Sequence, residues 1–152
     1  MRIAGKSIER EFSTVTIPRQ KGNIQIKVWS LPIGYKRQYA EIFPRPTPPK
    51  REIHDKKNGV TDKIEWDDPN YVRLMNEWED LQNYYLIFRV MDGADGNEFD
   101  TKQIGNPADL RALKEEFLKS GLSEGDCALI VKAALKASNV DQAEVAKAVE
   151  NF

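Results

Sequence analysis

The chain has one cysteine, Cys127, and one histidine, His54, in 152 residues. A single thiol excludes an internal disulfide and gives no reason to assign an oxidising compartment. Two such residues also fall short of the Cys/His ligand sets that hold zinc. Long apolar runs are missing as well, since no window approaches the ~18 apolar residues that a membrane helix requires. Met1 to Arg10 carries Arg2, Lys6, Glu9 and Arg10 instead of an apolar stretch, so neither a leader nor an anchor is expected there. Gly93 and Gly96 do not lie between a strand and a lysine-bearing helix, so nucleotide binding has no support. A soluble, intracellular protein is the expectation.

Reactive groups are equally scarce. His54 sits beside Asp55 in a stretch that reads as a flexible linker, where no scaffold would hold it against a nucleophile. Cys127 lies near the start of an apolar helix face with no histidine nearby in sequence to act as base, which favours a packed core thiol. Asp67-Asp68 and Glu115-Glu116 read as caps or solvated faces, not as a glycosidase pair. Asp92-Gly-Ala-Asp-Gly-Asn97 resembles a calcium loop only superficially, because Ala94 and Gly96 stand where oxygen ligands are needed; adjacent turns explain it better. No catalytic, cofactor-binding or metal-binding residue is therefore named, and an enzyme is not expected.

What the chain does have is enough apolar material to fold, and an uneven charge. Hydrophobic residues make up 40%, and a chain of this length buries roughly 68–70% of its unfolded surface. Net charge is only −1. Met1 to Lys57 nevertheless holds 13 Lys/Arg against 5 Asp/Glu, and Asn58 to Phe152 holds 10 against 19. Oppositely charged halves attract each other or line opposite parts of one surface, or else the basic half meets an acidic partner. The basic residues follow no nucleic-acid-binding motif, so nucleic acid is not an expected partner.

Apolar periodicity divides the chain into three parts. Phe12 to Ile17 and Ile24 to Val28 alternate with period two and flank a loop over Pro18 to Asn23, which predicts a β-hairpin. A lone hairpin is marginal in water, so its apolar face must cover a helix of the same chain or a partner's strand. Ser30 and Pro32 suit a helix start, and Tyr35, Tyr39, Ile42 and Phe43 recur at helical spacing until Pro44 ends the pattern. With Pro44, Pro46, Pro48 and Pro49 followed by a charged stretch, residues 44–65 read as a linker, extended first and flexible after. Pro46-Thr47-Pro48-Pro49 is also compatible with a polyproline ligand.

Asp67 or Asp68 with Pro69 then starts a long helix whose stripe is Tyr71, Leu74, Trp78, Leu81, Tyr85 and Phe88. Most of that stripe is expected to be core. Helices follow over about 107–120, 124–137 and 141–151, the last two opened by Ser123 with Asp126 and by Asp141 with Glu144. Val145, Ala148, Val149 and Phe152 form the inward face of the final helix. The fold class is α+β, mainly α: a β-hairpin and short helix over 1–43, the linker over 44–65, and a helical bundle over 66–152 around one long central helix. Tyr35, Tyr39, Phe43, Tyr71, Trp78 and Tyr85 are the candidate partner-binding residues.

Thr47-Pro48-Pro49, Asp68-Pro69-Asn70-Tyr71, Trp78, Tyr85-Leu86 and Ser120-Gly121-Leu122-Ser123 stand in an order that resembles tail assembly chaperones of long-tailed bacteriophages. Those proteins place a short β region and a Pro-rich polar segment before an Asp-Pro-x-Tyr helix start with a tryptophan several residues on. The resemblance covers about two thirds of the chain and leaves the N-terminal hairpin unmatched. It implies a non-enzymatic protein of the host cell cytoplasm that binds the tape measure protein or other tail proteins during virion morphogenesis, with a homo-oligomer as a further option. A virion structural protein of the tail or neck is the alternative. Phe117-Leu118 and Gly121-Leu122 followed by two helices also resemble ubiquitin-associated domains, a small helical adaptor, although the middle helix is too long for one.

Overall fold

The computed structural model describes residues 2–7, 9–138, 147 and 150. In chain order the elements are β1 (Arg2–Ile3), β2 (Lys6–Ser7), β3 (Phe12–Ile17), β4 (Ile24–Trp29), α1 (Tyr35–Ile42), β5 (Lys50–Asp55), β6 (Gly59–Ile64), α2 (Pro69–Met91), α3 (Pro107–Lys119) and α4 (Glu124–Ala137). The fold is α+β, mainly α, and each pair of strands is its own antiparallel hairpin. The helix expected over 141–151 lies almost wholly outside the described residues.

Short polar side chains start the three longer helices. Asp68 accepts from the Tyr71 N–H at 2.9 Å, Asn106 from Asp109 at 3.0 Å, and Ser123 from Asp126 at 3.2 Å. Each satisfies a donor that the first helical turn leaves open. Asp126 returns the bond to the Ser123 N–H at 2.8 Å, completing a capping box.

In the β3–β4 hairpin Val15 stands opposite Ile26 and Ile17 opposite Ile24, so the apolar positions of both strands share one side. That side packs on α4 and α2 of the same chain. Ile17, Ile26 and Val28 join Ile87 and Val90 of α2, Leu113 and Phe117 of α3, and Ile130 and Val131 of α4 in one core. Full burial of each large aliphatic or aromatic side chain contributes about 1.5–3 kcal/mol. Of the two covers expected for the hairpin's apolar face, helices of the same chain are the one found, so residues 1–43 and 66–138 share a core.

Helix α1 also differs at its start. Its N-cap is Gly34 at φ 79°, a backbone conformation that glycine adopts without strain, and not Ser30. The Ser30 carbonyl accepts from the Arg10 guanidinium at 2.8 and 3.1 Å, and the Leu31 N–H donates to Ser138 Oγ at 2.8 Å. These ties use the Ser30–Leu31 backbone for tertiary anchoring and delay the helix to Tyr35.

The largest correction concerns residues 44–65. Pro44 to Pro49 carries no regular element, but Lys50–Asp55 and Gly59–Ile64 form a regular hairpin, not a flexible linker. The Asp55 carboxylate accepts from the Lys57 N–H at 2.9 Å and from Asn58 Nδ2 at 3.2 Å, and Gly59 stands at φ 73°, so the turn is built from local polar bonds. Apolar alternation failed to signal the strands because Ile53 faces Thr61, whereas Val60 faces His54 and Ile64 faces Lys50, which splits the apolar residues between two faces. Every residue from Lys50 to Ile64 is exposed. The short β1–β2 hairpin carries no periodic signal either, and turns through Ala4 and Gly5 at φ 50° and 78°.

One ion pair locks the β3–β4 loop to the helical layer. Arg19 Nη2 lies 2.5 Å from Asp126 Oδ2 and Nη1 3.3 Å from Oδ1, across 107 residues of chain. The Arg19 guanidinium, helped by the Ser123 N–H, holds the Asp126 carboxyl down to about 2. Because the folded value lies below the ordinary 3.8, this contribution is fully present above about pH 4 and is lost as pH falls toward 2. Asp126→Ala should destabilise the protein by about 2 kcal/mol at neutral pH, from the lost bonds of its carboxylate to Arg19 and to the Ser123 N–H, with the Ser123 cap itself retained. Denaturant titrations of both proteins should show that gap closing between pH 4 and 2. Replacing residues 50–64 with a short Gly/Ser bridge should by contrast change stability by less than about 0.5 kcal/mol, since it removes only exposed side chains; thermal unfolding checks this.

Candidate functional site

Tyr39, Phe43, Trp78 and Tyr85 are brought together where α1 crosses α2. The Tyr39 hydroxyl donates to the Trp78 carbonyl, and Trp78 Nε1–H donates to the Phe43 carbonyl at 2.7 Å. Each helix thus satisfies a polar group of the other. The Tyr39 ring lies 5.3 Å from that of Trp78, 5.6 Å from Tyr85 and 6.4 Å from Phe43, and the group closes over Leu81 and Leu110. Burial, with smaller contributions from the charges of Glu77 and Asp80, pushes the Tyr39 phenol above its ordinary range.

This clasp corrects part of the candidate site. Tyr39, Tyr85 and Phe43 are buried, at 0%, 4% and 9% exposure, and are spent on docking α1, out of a partner's reach in this conformation. Trp78 is half-buried, and the Arg45 guanidinium lies 5.7 Å from its ring centre. Tyr35 is half-buried, and burial raises its phenol. Tyr71 is half-buried and packs edge-on against Trp66 at 6.1 Å. Trp66 itself is 63% exposed.

Trp66 is one of several apolar side chains that face solvent around the base of the β5–β6 arm. Ile64 is 40% and Val72 42% exposed, and Val60, further along β6, 58%. The arm's base closes through the Glu65 N–H donating to the Pro49 carbonyl at 2.9 Å and an Arg51–Glu65 ion pair at 3.2 Å. His54 lies on this arm and its Nε2 is 3.7 Å from Glu52, both side chains largely in solvent.

A second feature lies beside β4. A cavity of about 260 Å³ opens between the start of β4, the α2–α3 connection and the end of α3. Ile24, Met91, Phe99, Phe117 and Leu122 supply its apolar wall, and Glu98 and Glu116 its rim. A shelf with Asp100, Glu115 and Lys119 adjoins it through the shared Glu116 and Ser120. Burial alone would raise the Glu116 carboxyl, but the Asp100 and Thr101 backbone N–H groups donate to it at 2.6 and 3.0 Å and bring it below its ordinary value. The rim is therefore anionic at neutral pH. Asn97 stands at the same edge, its Nδ2 donating to the Lys27 carbonyl at 2.8 Å and to that of Met91 at 3.0 Å.

Neither feature was read from the sequence. The groove unites residues from four separate segments, and the only trace of it was the acidic balance of the second half. Cys127 is buried in the core, and burial pushes its thiol up, away from reactivity. Among the described residues no group of three or more His, Cys, Asp or Glu side chains could hold a metal, and no helix is long and apolar enough to cross a membrane. Comparisons with family models, curated proteins and solved structures find no match to this chain.

The clasp makes a direct prediction. Tyr39→Phe keeps the ring and removes only the hydroxyl's bond to the Trp78 carbonyl, which keeps its helical bond inside α2, whereas Trp78→Phe leaves the Phe43 carbonyl at the end of α1 without its side-chain donor. Tyr39→Phe should cost about 0.5–1.5 kcal/mol and Trp78→Phe about 1–3 kcal/mol in denaturant unfolding. A double-mutant cycle should show coupling of at least about 0.5 kcal/mol between the two positions.

Proposed function

We propose that the protein is a non-enzymatic binding protein of phage tail morphogenesis: a tail assembly chaperone that holds the tape measure protein in the host cell cytoplasm while the tail is built. One observation carries this reading. The segment between two of the motifs that carry the resemblance, Thr47-Pro48-Pro49 and Asp68-Pro69-Asn70-Tyr71, forms an exposed arm with Ile64, Trp66 and Val72 facing solvent near its base. A long helical client presents an apolar stripe flanked by charge. Exposed aliphatic residues around a tryptophan suit such a stripe, because tryptophan supplies a large contact area and commonly anchors interfaces.

The surface for this role lies beside the helical clasp, not within it. Tyr71 packs edge-on against Trp66, whereas Tyr39, Phe43 and Tyr85 hold the scaffold. Co-expression with a long tape measure protein should give a soluble complex that co-purifies. The double variant Trp66→Ser, Val72→Ser should weaken that complex at least fivefold, a loss of about 1 kcal/mol or more, with unchanged thermal unfolding. Mass spectrometry of finished particles should find the protein missing. A fixed copy number in particles would assign it instead to the virion structure, and an unweakened complex would remove Trp66 and Val72 from the site.

A further inference from the structure

We propose that the β5–β6 arm of one copy docks in the groove beside β4 of a second copy, seating Ile53 against the apolar wall and setting the arm's lysines against Glu98, Asp100 and Glu115. The inference does not rest on the client or on the tail-assembly reading. It begins from a hairpin held by its backbone ladder, its turn and its base, with little help from side-chain pairs across the strands. Glu52 stands directly opposite Asp62 and Arg51 opposite Lys63, two like-charge pairs that repel across the strands. Its apolar residues are divided between faces, all its residues are exposed, and a two-stranded hairpin alone is marginal in water. A surface that receives one face would supply the missing contact.

The two faces differ in a way that selects the surface. One carries Arg51, Ile53, Thr61 and Lys63 and runs to the turn lysines Lys56 and Lys57; the other carries Glu52, Asp62, His54, Val60, Ile64 and Lys50. The first face is a single apolar side chain ringed by cations. Asp55 at its end is engaged with the turn, and Arg51 with Glu65. The groove beside β4 is its complement, an apolar cavity of about 260 Å³ with anionic Glu98 and Glu116 on the rim and Asp100 and Glu115 on the shelf. Lys119 is the cation on that shelf. The arm stands wholly exposed in the same chain whose groove is open, so the occupant assigned to the groove is a second copy's arm. Such a contact is heterologous: every copy offers one arm and one groove, and the assembly closes into a ring or continues as a chain.

Light scattering and sedimentation velocity on the purified full-length protein test this, across the micromolar range at low salt. The mass should rise with concentration above that of one chain and fall as salt is added. An arm variant, Lys56→Glu with Lys57→Glu, and a groove variant, Glu98→Lys with Glu115→Lys, should each weaken self-association at least tenfold while keeping wild-type thermal unfolding. An equimolar mixture of the two variants should regain association, because the intact arm of one meets the intact groove of the other. A wild-type protein that stays monomeric, association that both variants leave intact, or a mixture that regains nothing would each overturn the proposal. A monomer that instead binds a basic apolar peptide through Glu98 and Glu115 would also overturn it, and would give the groove to a foreign partner. These readouts contain no client, so their failure is separable from failure of the Trp66 and Val72 test.

Discussion

A two-stranded hairpin has no partner sheet to cover its apolar side, and the organisation of this protein follows from that constraint. The chain meets it in two ways. The β3–β4 hairpin gathers Val15, Ile17, Ile26 and Val28 on one side and lays them on α4 and α2, so strands and helices close a common core. The β5–β6 hairpin has the same strand length but divides Ile53 from Val60 and Ile64, and among the described residues no helix covers it. One pairing geometry thus yields a structural layer where the apolar pattern agrees with the pleat, and a projecting arm where it does not.

Polar groups fix the layers that apolar contact alone would leave free to slide. Arg19 and Asp126 pin the β3–β4 loop over the start of α4, and the carboxylate doing so is the same one that completes the Ser123 capping box. Where α1 meets α2, the Tyr39 hydroxyl and Trp78 Nε1–H donate to backbone carbonyls in the middle of α2 and at the end of α1. Both arrangements give a buried polar group a partner on another element, which favours one relative position of the two elements.

Local signals were legible in the sequence, and contacts between distant segments were not. Asp68, Asn106 and Ser123 act within four residues of themselves, so the three long helices start where capping chemistry places them. Period-two alternation located β3 and β4 for the same reason. Ser30 misled because its backbone is captured by Arg10, a residue twenty positions earlier. The aromatic stripe was legible as a stripe, but its burial depended on α1 folding back across α2, which no spacing encodes. Residues 50–64 were read as linker because their composition is that of a linker; their strands are defined by a turn at Asp55 to Gly59 and not by an apolar face.

The charge division along the chain acquires a spatial meaning once the fold is known. Arg19 with Asp126 and Lys27 with Asp95 join the basic first half to the acidic second half within one molecule. Such pairs account for part of the asymmetry; the first has a buried carboxylate and the second is exposed at both ends, so the second adds little to stability. Among the described residues, Lys56 and Lys57 at the arm's tip form no ion pair, whereas Glu98 and Glu115 lie exposed beside an apolar cavity. Opposite charges held apart on one rigid surface do not raise that molecule's own stability. They raise the rate and the orientational preference with which a complementary surface is met, and they do so in a salt-dependent way. An arm that pairs like charges across its strands and a groove of opposite charge are therefore better accounted for by association than by folding.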